Sequence, residues 1–369
     1  MQNNPMAIRY FKHSMNNMCS RVCSFPPEMP AYFIDKYSKP GETILDPWSG
    51  KGTVPFISLL NSRIGIGNDV SPEAYVLTHA KIRPVSMKEL KVSIQKIEAK
   101  MLKTKVPKDL STLDKDAAIF FSRSTFTQLL KLRQILKEEN SDSSLFVKGI
   151  ILGILHGSSE LSLSLPCSHS YSMSPNYVKN YARKHKLLRP SKNVLECVSA
   201  KGQILLEDGL LPKRGRALND DSRKLSIASN SVDMVFTSPP YLNVQTYARS
   251  NWLRLWFLGY NYKEIRKSIA ESGSKVRYKE FLEKSLIEVR RVMKRDKWLF
   301  IVLGDLKIKS EIKGTTVGLP DFVLPIIKAS GFRIVKVLRD DIPSTKRVFT
   351  YLGNNKGIKS ESIICAKSR

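Results

Sequence analysis

The sequence predicts an α/β fold with a Rossmann-like, mainly parallel sheet that is interrupted by a mainly helical insertion. Residues 43–82 alternate between strand and helix patterns, helical periodicity follows, and strand patterns return near residue 231. We therefore divide the chain into an N-terminal part of the sheet domain (1–83), the insertion (84–216) and a C-terminal part of the sheet domain (217–369).

The first sheet elements are predicted from short apolar runs and helix-start signals. Thr43 to Leu45 has the pattern of a buried strand, Thr53 to Leu60 that of an amphipathic helix, and Arg63 to Val70 that of a second strand. Ser71 and Pro72 then begin a further helix, because serine caps helices and proline suits their first turn. This βαβα order is typical of the start of a parallel sheet.

The insertion is predicted from apolar residues at helical spacing in 86–103, 124–137 and 145–155, followed by a polar, basic stretch. After it, sheet character returns in residues 231–241, and helix 278–293, strand 297–305, helix 319–329, and strands 332–338 and 361–367 are predicted to follow. Residues 251–257 are rich in Trp and Leu, and we expect them to form a core helix rather than a wedge inserted into DNA.

The charge of the chain indicates a polyanionic partner. There are 61 Lys and Arg against 33 Asp and Glu, a formal net charge of +28. Solubility or a lysine-rich genome would also produce a basic chain, but an excess of this size favours nucleic acid. The sequence has no run of about 18 apolar residues and no N-terminal apolar segment, so we expect a cytoplasmic protein that is not bound to a membrane.

Part of this charge is concentrated in the insertion. Between residues 179 and 216, ten Lys or Arg stand against three acidic residues. Lys184, Lys186 and Arg189 are the candidate DNA contacts, because cations there would neutralise phosphates; a solvated helix face is the alternative. The five cysteines are scattered and complete no zinc set, so neither disulfides nor a metal site is expected.

A glycine loop stands between the first predicted strand and helix. It comprises Asp46, Pro47, Trp48, Ser49, Gly50, Lys51, Gly52 and Thr53. Glycines allow a ligand close to the backbone, and N–H groups at a helix start favour anionic groups, which indicates a nucleotide-like cofactor. The spacing does not fit a phosphate-binding P-loop, and a turn that only packs the helix on the strand is the alternative. Asp69, about 20 residues further on, is the candidate for holding a ribose diol, or else a helix cap.

A second loop follows the apolar strand VDMVF and has the sequence Thr237-Ser238-Pro239-Pro240-Tyr241. It is predicted at the carboxyl end of a strand, where open α/β sheets bind ligands. The two prolines form a stiff set of carbonyl acceptors beside an aromatic ring. Ser238 and the Pro239 carbonyl could accept the protons of an exocyclic amine, and Tyr241 could stack on an extruded base. A Pro-Pro surface turn is the alternative.

These motifs together resemble the DNA methylase family that modifies cytosine N4 or adenine N6. DPWSGKGT resembles its cofactor loop, with Trp48 in place of the more usual phenylalanine, and TSPPY resembles its catalytic loop. The segment SFPPEMP, with Phe25 and Pro26, resembles the cofactor-contacting region ahead of the first strand, GNDVSPEA the ribose strand, and Asp221-Ser222-Arg223 the turn that contacts adenine. The resemblance implies a methyltransferase sheet with S-adenosylmethionine as cofactor.

The resemblance also implies an activity and a partner. The reaction would move a methyl group from the cofactor to the exocyclic amine of a flipped base in double-stranded DNA. Ser238 stands where adenine-modifying relatives usually have Asp or Asn, which favours cytosine N4. The alternatives are adenine N6, an RNA base, and a catalytically silent DNA-binding subunit. The insertion would recognise DNA, a nucleoid-associated location would follow, and a cognate restriction endonuclease is a second candidate partner.

Overall fold

The computed structural model describes residues 12–21, 24–166, 171–212, 215–242, 247–268, 274–309, 316–342 and 359–369. Within these ranges, seven strands form one sheet and two short strands form a separate antiparallel pair. The sheet contains β1 (Thr43–Asp46), β2 (Ile64–Asn68), β3 (Arg216–Leu218), β4 (Val232–Thr237), β5 (Met293–Gly304), β8 (Phe332–Asp341) and β9 (Ser360–Ser368); the pair is β6 (Lys307–Lys309) and β7 (Thr316–Gly318).

The strands of the sheet lie in the order β3-β2-β1-β4-β5-β9-β8. The five strands from β3 to β5 pair in parallel, whereas β9 is antiparallel to both of its neighbours. The predicted α/β fold with a mainly parallel sheet is therefore confirmed. The strand order reverses between β1 and β4, and a cleft at the carboxyl ends of two such strands is the usual ligand site of open α/β sheets.

The helices are α1 (Glu28–Tyr37), α2 (Thr53–Leu60), α3 (Pro72–Ile82), α4 (Met87–Lys103), α5 (Thr112–Ala118), α6 (Arg123–Leu136), α7 (Asp142–Ile154), α8 (Pro175–Lys184), α9 (Val194–Leu205), α10 (Tyr247–Ser250), α11 (Trp252–Phe257), α12 (Tyr262–Ser268), α13 (Lys275–Val292) and α14 (Leu319–Ala329). No helix in the described ranges is long and apolar enough to cross a membrane.

Helices bury both faces of the sheet. Adjacent residues of a strand point to opposite faces, so they join different hydrophobic clusters. Ile44 and Phe236 belong to one hydrophobic cluster with the side chains of α1 to α4. Leu45 and Val235 belong to a second cluster with α13 and α14. All six residues of β4 are buried. A strand that is covered on both faces reads as a continuous apolar run, which explains why β4 could be predicted from sequence.

The helices between residues 87 and 205 share the first cluster with the helices of the sheet. Asp142, at the start of α7, accepts hydrogen bonds from Arg83 Nε at 3.0 Å and pairs with His79 Nε2 at 2.9 Å. The insertion is thus attached to the end of α3 by buried apolar contacts and by charged groups. The chain then returns to the sheet at β3, which begins at Arg216, the last residue of the predicted insertion.

Several boundaries differ from the sequence prediction. The helix expected at 86–103 spans 87–103 and the one expected at 145–155 begins at Asp142, whereas α5, α8 and α9 were not predicted. Helix α13 passes directly into β5 at Met293, four residues before the expected strand. The expected core helix at 251–257 is present, and every residue of α11 is buried.

Candidate active site

A cleft opens at the carboxyl ends of β1, β2 and β4. Its empty volume, including the solvent at its open mouth, is about 920 Å³. The lining residues are Arg21, Ser24, Phe25, Asp46, Pro47, Trp48, Ser49, Gly50, Lys51, Thr53, Asp69, Val70, Ser71, Asp221, Ser222, Ser238, Pro239, Pro240, Tyr241, Tyr247 and Phe281. The structure therefore brings the glycine loop and the TSPPY loop together, although they are separated by more than 180 residues.

The glycine loop turns sharply between β1 and α2. Gly50 and Gly52 have φ of +55° and +73°, in the left-handed region that favours glycine. Ser49 N donates to Asn68 O at 2.8 Å, which ties the loop to the end of β2. Gly52 precedes the first residue of α2 and offers no side-chain cap. The first N–H groups of this helix have no capping side chain, as at other helix ends that bind anionic groups.

Asp46 is buried at the end of β1. Its Oδ1 accepts a hydrogen bond from Thr237 Oγ1 at 2.6 Å and one from Trp48 N at 3.1 Å. Burial raises the pKa of this carboxyl to about 7, against the opposing effect of these two donors. The Thr237 contact crosses from β1 to β4, so Asp46 joins the two loops that form the cleft.

Asp69 connects the glycine loop to the start of α3. Its Oδ2 accepts from Gly50 N at 3.0 Å and its Oδ1 from Ser71 N at 3.0 Å. Burial raises its pKa to about 6, while the guanidinium of Arg21 acts in the opposite direction. Asp69 lines the cleft, as the ribose-binding interpretation requires. It also fixes the start of α3, as the helix-cap interpretation requires.

Asn68, just before Asp69, was not identified from the sequence. Its Nδ2 donates to Pro47 O at 3.2 Å and to Asp220 O at 3.1 Å, and its Oδ1 accepts from Asp220 N at 2.9 Å. A completely buried amide thus links the loops after β1, β2 and β3. The available signal was a polar residue at the end of an apolar strand.

The wall near Asp221 is partly aromatic. Trp48 Nε1 donates to Ser222 Oγ at 3.0 Å, and the rings of Trp48 and Phe281 lie 6.2 Å apart. The Asp221 carboxylate accepts a hydrogen bond from Arg223 Nε at 2.9 Å. The three predicted residues Trp48, Asp221 and Ser222 therefore lie together, with Phe281 as an unpredicted neighbour.

Across the cleft, the TSPPY loop presents a serine beside a tyrosine. Ser238 Oγ donates to Tyr241 OH at 3.2 Å, and Tyr241 N donates to Tyr247 OH at 3.4 Å. Because the Ser238 proton is directed to Tyr241, the lone pairs of Oγ can accept hydrogen bonds from a ligand. Tyr241 is only 8% exposed. The loop is therefore part of the cleft wall rather than a Pro-Pro turn on the outer surface.

Two predicted cofactor contacts do not line the cleft. Pro26 O accepts from Met29 N at the start of α1, and Gly52 packs against Thr78. Phe25 does line the cleft, and its ring packs edge-on against Phe236 at 5.5 Å. Two other residues of the wall, Arg21 and Lys51, were not singled out in the sequence.

The predicted DNA contacts lie on the surface of the insertion. Lys184, Lys186 and Arg189 are all exposed, and Arg189 Nε also donates to Ile119 O at 2.8 Å. Lys213 and Arg214, counted in the same basic segment, lie outside the described residues. No cluster of three metal-ligating side chains occurs among the described residues, which exclude Cys23 and Cys167.

A family model and a known protein match parts of this chain. Residues 232–366 match a family model described as DNA methylase. The type II methyltransferase M.BsoBI of Geobacillus stearothermophilus is 24% identical over 327 residues, covering 76% of this chain and 62% of the relative. This chain therefore spans less than two-thirds of the length of that relative.

Matches to solved structures have low TM-scores. One is a TehB-like S-adenosylmethionine-dependent methyltransferase from Corynebacterium glutamicum, at 9% identity and a TM-score of 0.35, covering 92% of this chain and 87% of that chain. Another is a putative DNA modification methylase from Thermus thermophilus complexed with S-adenosyl-L-methionine, at 19% identity and a TM-score of 0.26, covering 40% of this chain and 51% of that chain. The C-terminal part of the chain, residues 232–366, is therefore similar to the DNA methylase family.

Proposed function

We propose that the cleft binds S-adenosylmethionine and that the chain transfers its methyl group to the exocyclic amine of a base flipped out of duplex DNA. One observation carries this proposal: the loops after β1 and β4 open into a single cleft, with Gly50 and Asp69 on one wall and Ser238 and Tyr241 on the other. Such a cleft would hold a nucleoside cofactor beside a stiff set of hydrogen-bond acceptors.

The residues present fit this cofactor. The Asp69 carboxylate suits ribose hydroxyls, and the wall formed by Trp48, Ser222 and Phe281 suits an adenine ring. Burial raises the pKa of Asp46 and Asp69, and a cationic ligand beside them would act in the opposite direction by favouring their ionised forms. When bound, the cofactor supplies an electrophilic methyl group. The role of the protein is to hold the accepting amine at the correct place and depth.

The TSPPY loop would activate that amine. An amine conjugated with a base is a poor nucleophile, because its lone pair is delocalised into the ring. Ser238 Oγ, which donates its own hydrogen bond to Tyr241, would accept a hydrogen bond from one amine N–H. The Pro239 carbonyl would accept a hydrogen bond from the other. These hydrogen bonds draw the lone pair out of the ring, and the product then loses its extra proton to solvent. This chemistry requires no strong general base.

Cytosine N4 is the favoured target. The resemblance to cytosine N4 enzymes at Ser238 supports this choice, since adenine-modifying relatives usually carry Asp or Asn there. A serine is smaller than either residue, so it holds the amine at a different distance from the backbone. Adenine N6 is the alternative target.

The exposed end of α8 is the proposed DNA-binding surface. The segment leading into α8 is fixed beside the helices that follow the catalytic loop, because Ser172 N donates to Ser250 O at 2.6 Å and Trp252 Nε1 donates to Met173 O at 2.8 Å. Lys184 and Lys186 lie at the far end of α8. An exposed basic arm anchored near the catalytic loop is suited to phosphate contacts.

The product test uses the purified chain, methyl-labelled S-adenosylmethionine and plasmid DNA from a host without DNA methylases, followed by digestion to nucleosides and mass spectrometry. We expect labelled N4-methylcytosine, formed about 10- to 100-fold more slowly by the Ser238→Ala variant. N6-methyladenine as the sole product would overturn the choice of base. 5-Methylcytosine would overturn the mechanism, because that chemistry needs a cysteine nucleophile. In a parallel reaction with bulk RNA, label in RNA alone would overturn the DNA substrate.

The DNA surface is tested by reversing the charges of Lys184, Lys186 and Arg189 to Glu. The control reverses Lys328, Arg333 and Lys336, three exposed cations on α14 and β8 at the opposite edge of the sheet, so the change in net charge is identical. We expect weaker DNA binding and a shallower salt dependence only in the first variant, because phosphate contacts release counterions. Equal effects of both variants would mean that the arm contributes only general charge.

A cognate restriction endonuclease and a location on the chromosome are parts of the same proposal. If such a partner exists, DNA modified by this chain will resist cleavage by it. Digestion of modified and unmodified plasmid with a candidate nuclease encoded beside the gene tests this directly, and equal cleavage of both plasmids would reject the pairing.

A further inference from the structure

We propose that Arg21 binds the carboxylate of the amino-acid portion of S-adenosylmethionine; this inference rests on the proposed function. Arg21 lies ahead of the first helix and lines the cleft. Its side chain is 8% exposed, and its Nη2 donates to Glu73 Oε1 at 3.0 Å. Glu73 is itself almost completely buried at the start of α3. The guanidinium is thus held in a fixed position in the cleft wall.

The guanidinium lies directly over the glycine loop. A Cβ at Gly50 would be 2.8 Å from Arg21 Nη1, closer than such contacts occur. The absence of a side chain at Gly50 therefore has a second explanation besides its positive φ, since it leaves the space that Arg21 occupies. Any cofactor that follows the glycine loop would meet the guanidinium at this point.

Arg21 also has hydrogen-bonding capacity that Glu73 does not use. A guanidinium carries five N–H donors, and among the described residues Arg21 Nε is buried without an acceptor. Buried polar groups are normally paired. Nε itself has almost no accessible surface, so the donor that a cofactor on the glycine loop would meet is Nη1, which lies over Gly50.

The charge distribution identifies the part of the ligand that would do so. Asp46, Asp69 and Asp221 line the cleft and are unsuited to a carboxylate, whereas Arg21 and Lys51 are cations of the same wall. The amino-acid end of S-adenosylmethionine carries the only carboxylate of the cofactor. A planar guanidinium matches a carboxylate with two parallel hydrogen bonds.

The test compares S-adenosylmethionine with decarboxylated S-adenosylmethionine, which differs only in lacking that carboxylate. Calorimetric titration of the wild-type chain should give an affinity about 10- to 100-fold higher for the complete cofactor. Arg21→Gln should remove this preference while leaving the affinity for the decarboxylated compound nearly unchanged. Arg21→Lys, which keeps the charge but not the fork, should show an intermediate preference. Arg333→Gln, an exposed arginine on β8, is the charge-matched control and should retain the full preference.

The outcomes separate this inference from the proposed function. If the wild type binds both compounds equally, the inference is overturned without any variant. If Arg21→Gln lowers both affinities by the same factor, Arg21 only supports the shape of the cleft and the inference is likewise overturned. If the wild type binds neither compound, the proposed cofactor fails, and the inference with it. Thermal unfolding of each variant verifies that it is folded.

Discussion

Replacing Gly52 by alanine should destabilise the protein more than the same change at another glycine with positive φ. Gly52 has φ +73°, and an added Cβ would lie 2.9 Å from Thr78 Cα and 3.2 Å from Thr78 Cβ. Gly41 has φ +85°, but nothing lies within 4 Å of its added Cβ. The two substitutions therefore share the backbone strain and differ in crowding.

The magnitudes can be worked from these distances. A non-glycine residue in the left-handed region costs about 1–2 kcal/mol, and overpacking a core adds about 1–3 kcal/mol. The entropy gain from restricting the unfolded chain is the same for both substitutions. Gly41→Ala should thus cost about 1–2 kcal/mol and Gly52→Ala about 2–5 kcal/mol, because α2 can accept the methyl group only by moving away from α3.

Urea unfolding followed by circular dichroism measures both values. Similar m-values for both variants and the wild type would show that the compactness of the folded and unfolded states is unchanged. If Gly52→Ala costs no more than Gly41→Ala, the close packing of α2 on α3 at Thr78 does not exist as described. A shift of α2 also moves the glycine loop, so Gly52→Ala should weaken cofactor binding while Gly41→Ala should not.

Three further predictions concern the cleft and its support. Burial raises the pKa of Asp46 to about 7 from 3.8, so the folded state favours the protonated carboxyl. The free energy of unfolding that this protonation contributes is lost as pH rises through about 7. Relative to Asp46→Asn, the wild type should lose about 2–3 kcal/mol between pH 5 and pH 8 in urea unfolding, and equal pH profiles would contradict this. Ser238→Ala should lower the rate of methyl transfer about 10- to 100-fold through loss of one acceptor. Tyr241→Ala should lower it strongly, and Tyr241→Phe, which keeps the ring but removes the acceptor of the Ser238 proton, should lower it less than Tyr241→Ala. Cofactor affinity measured by calorimetry should be unchanged in all three, and a parallel loss would mean that the loop supports the cofactor instead. Arg254, 1% exposed, donates to Leu152 O and to Asn251, so Arg254→Leu should cost about 1–3 kcal/mol in thermal unfolding by leaving buried acceptors unpaired, whereas a loss below about 0.5 kcal/mol would show these contacts to be dispensable.

Local patterns were sufficient to predict where β1 and β4 end. Each is a short apolar run on a fully covered strand, and each is followed by a loop of turn residues, so Asp46 and Ser238 could be placed at strand ends from sequence alone. The rule that parallel strands share an edge then brings their loops together. The meeting of these two loops is what made the candidate site predictable.

Contacts between distant residues could not be predicted in this way. Arg21 lies 52 residues from Glu73, and no local pattern connects them. Strand β3 is three residues long, too short for periodicity, and it is placed beside β2 partly by the contact of Asn68 with Asp220, 152 residues away. Helix α8 did carry a local signal, because Ser174 caps it and a proline follows. Val178 is its single buried residue, so no apolar spacing marked the helix.

The position of β4 beside β1 has a consequence for synthesis on the ribosome. β1 and β2 emerge early, but the strand that pairs with the other edge of β1 follows more than 160 residues later. At about 5–20 residues per second, that edge remains unpaired for about 8–30 s. The helices made during this interval, α4 to α9, belong to the same hydrophobic cluster as α2 and α3. They can therefore cover one apolar face of the half-built sheet before β4 is made, whereas the edge of β1 stays open to pairing with other nascent chains until β4 arrives.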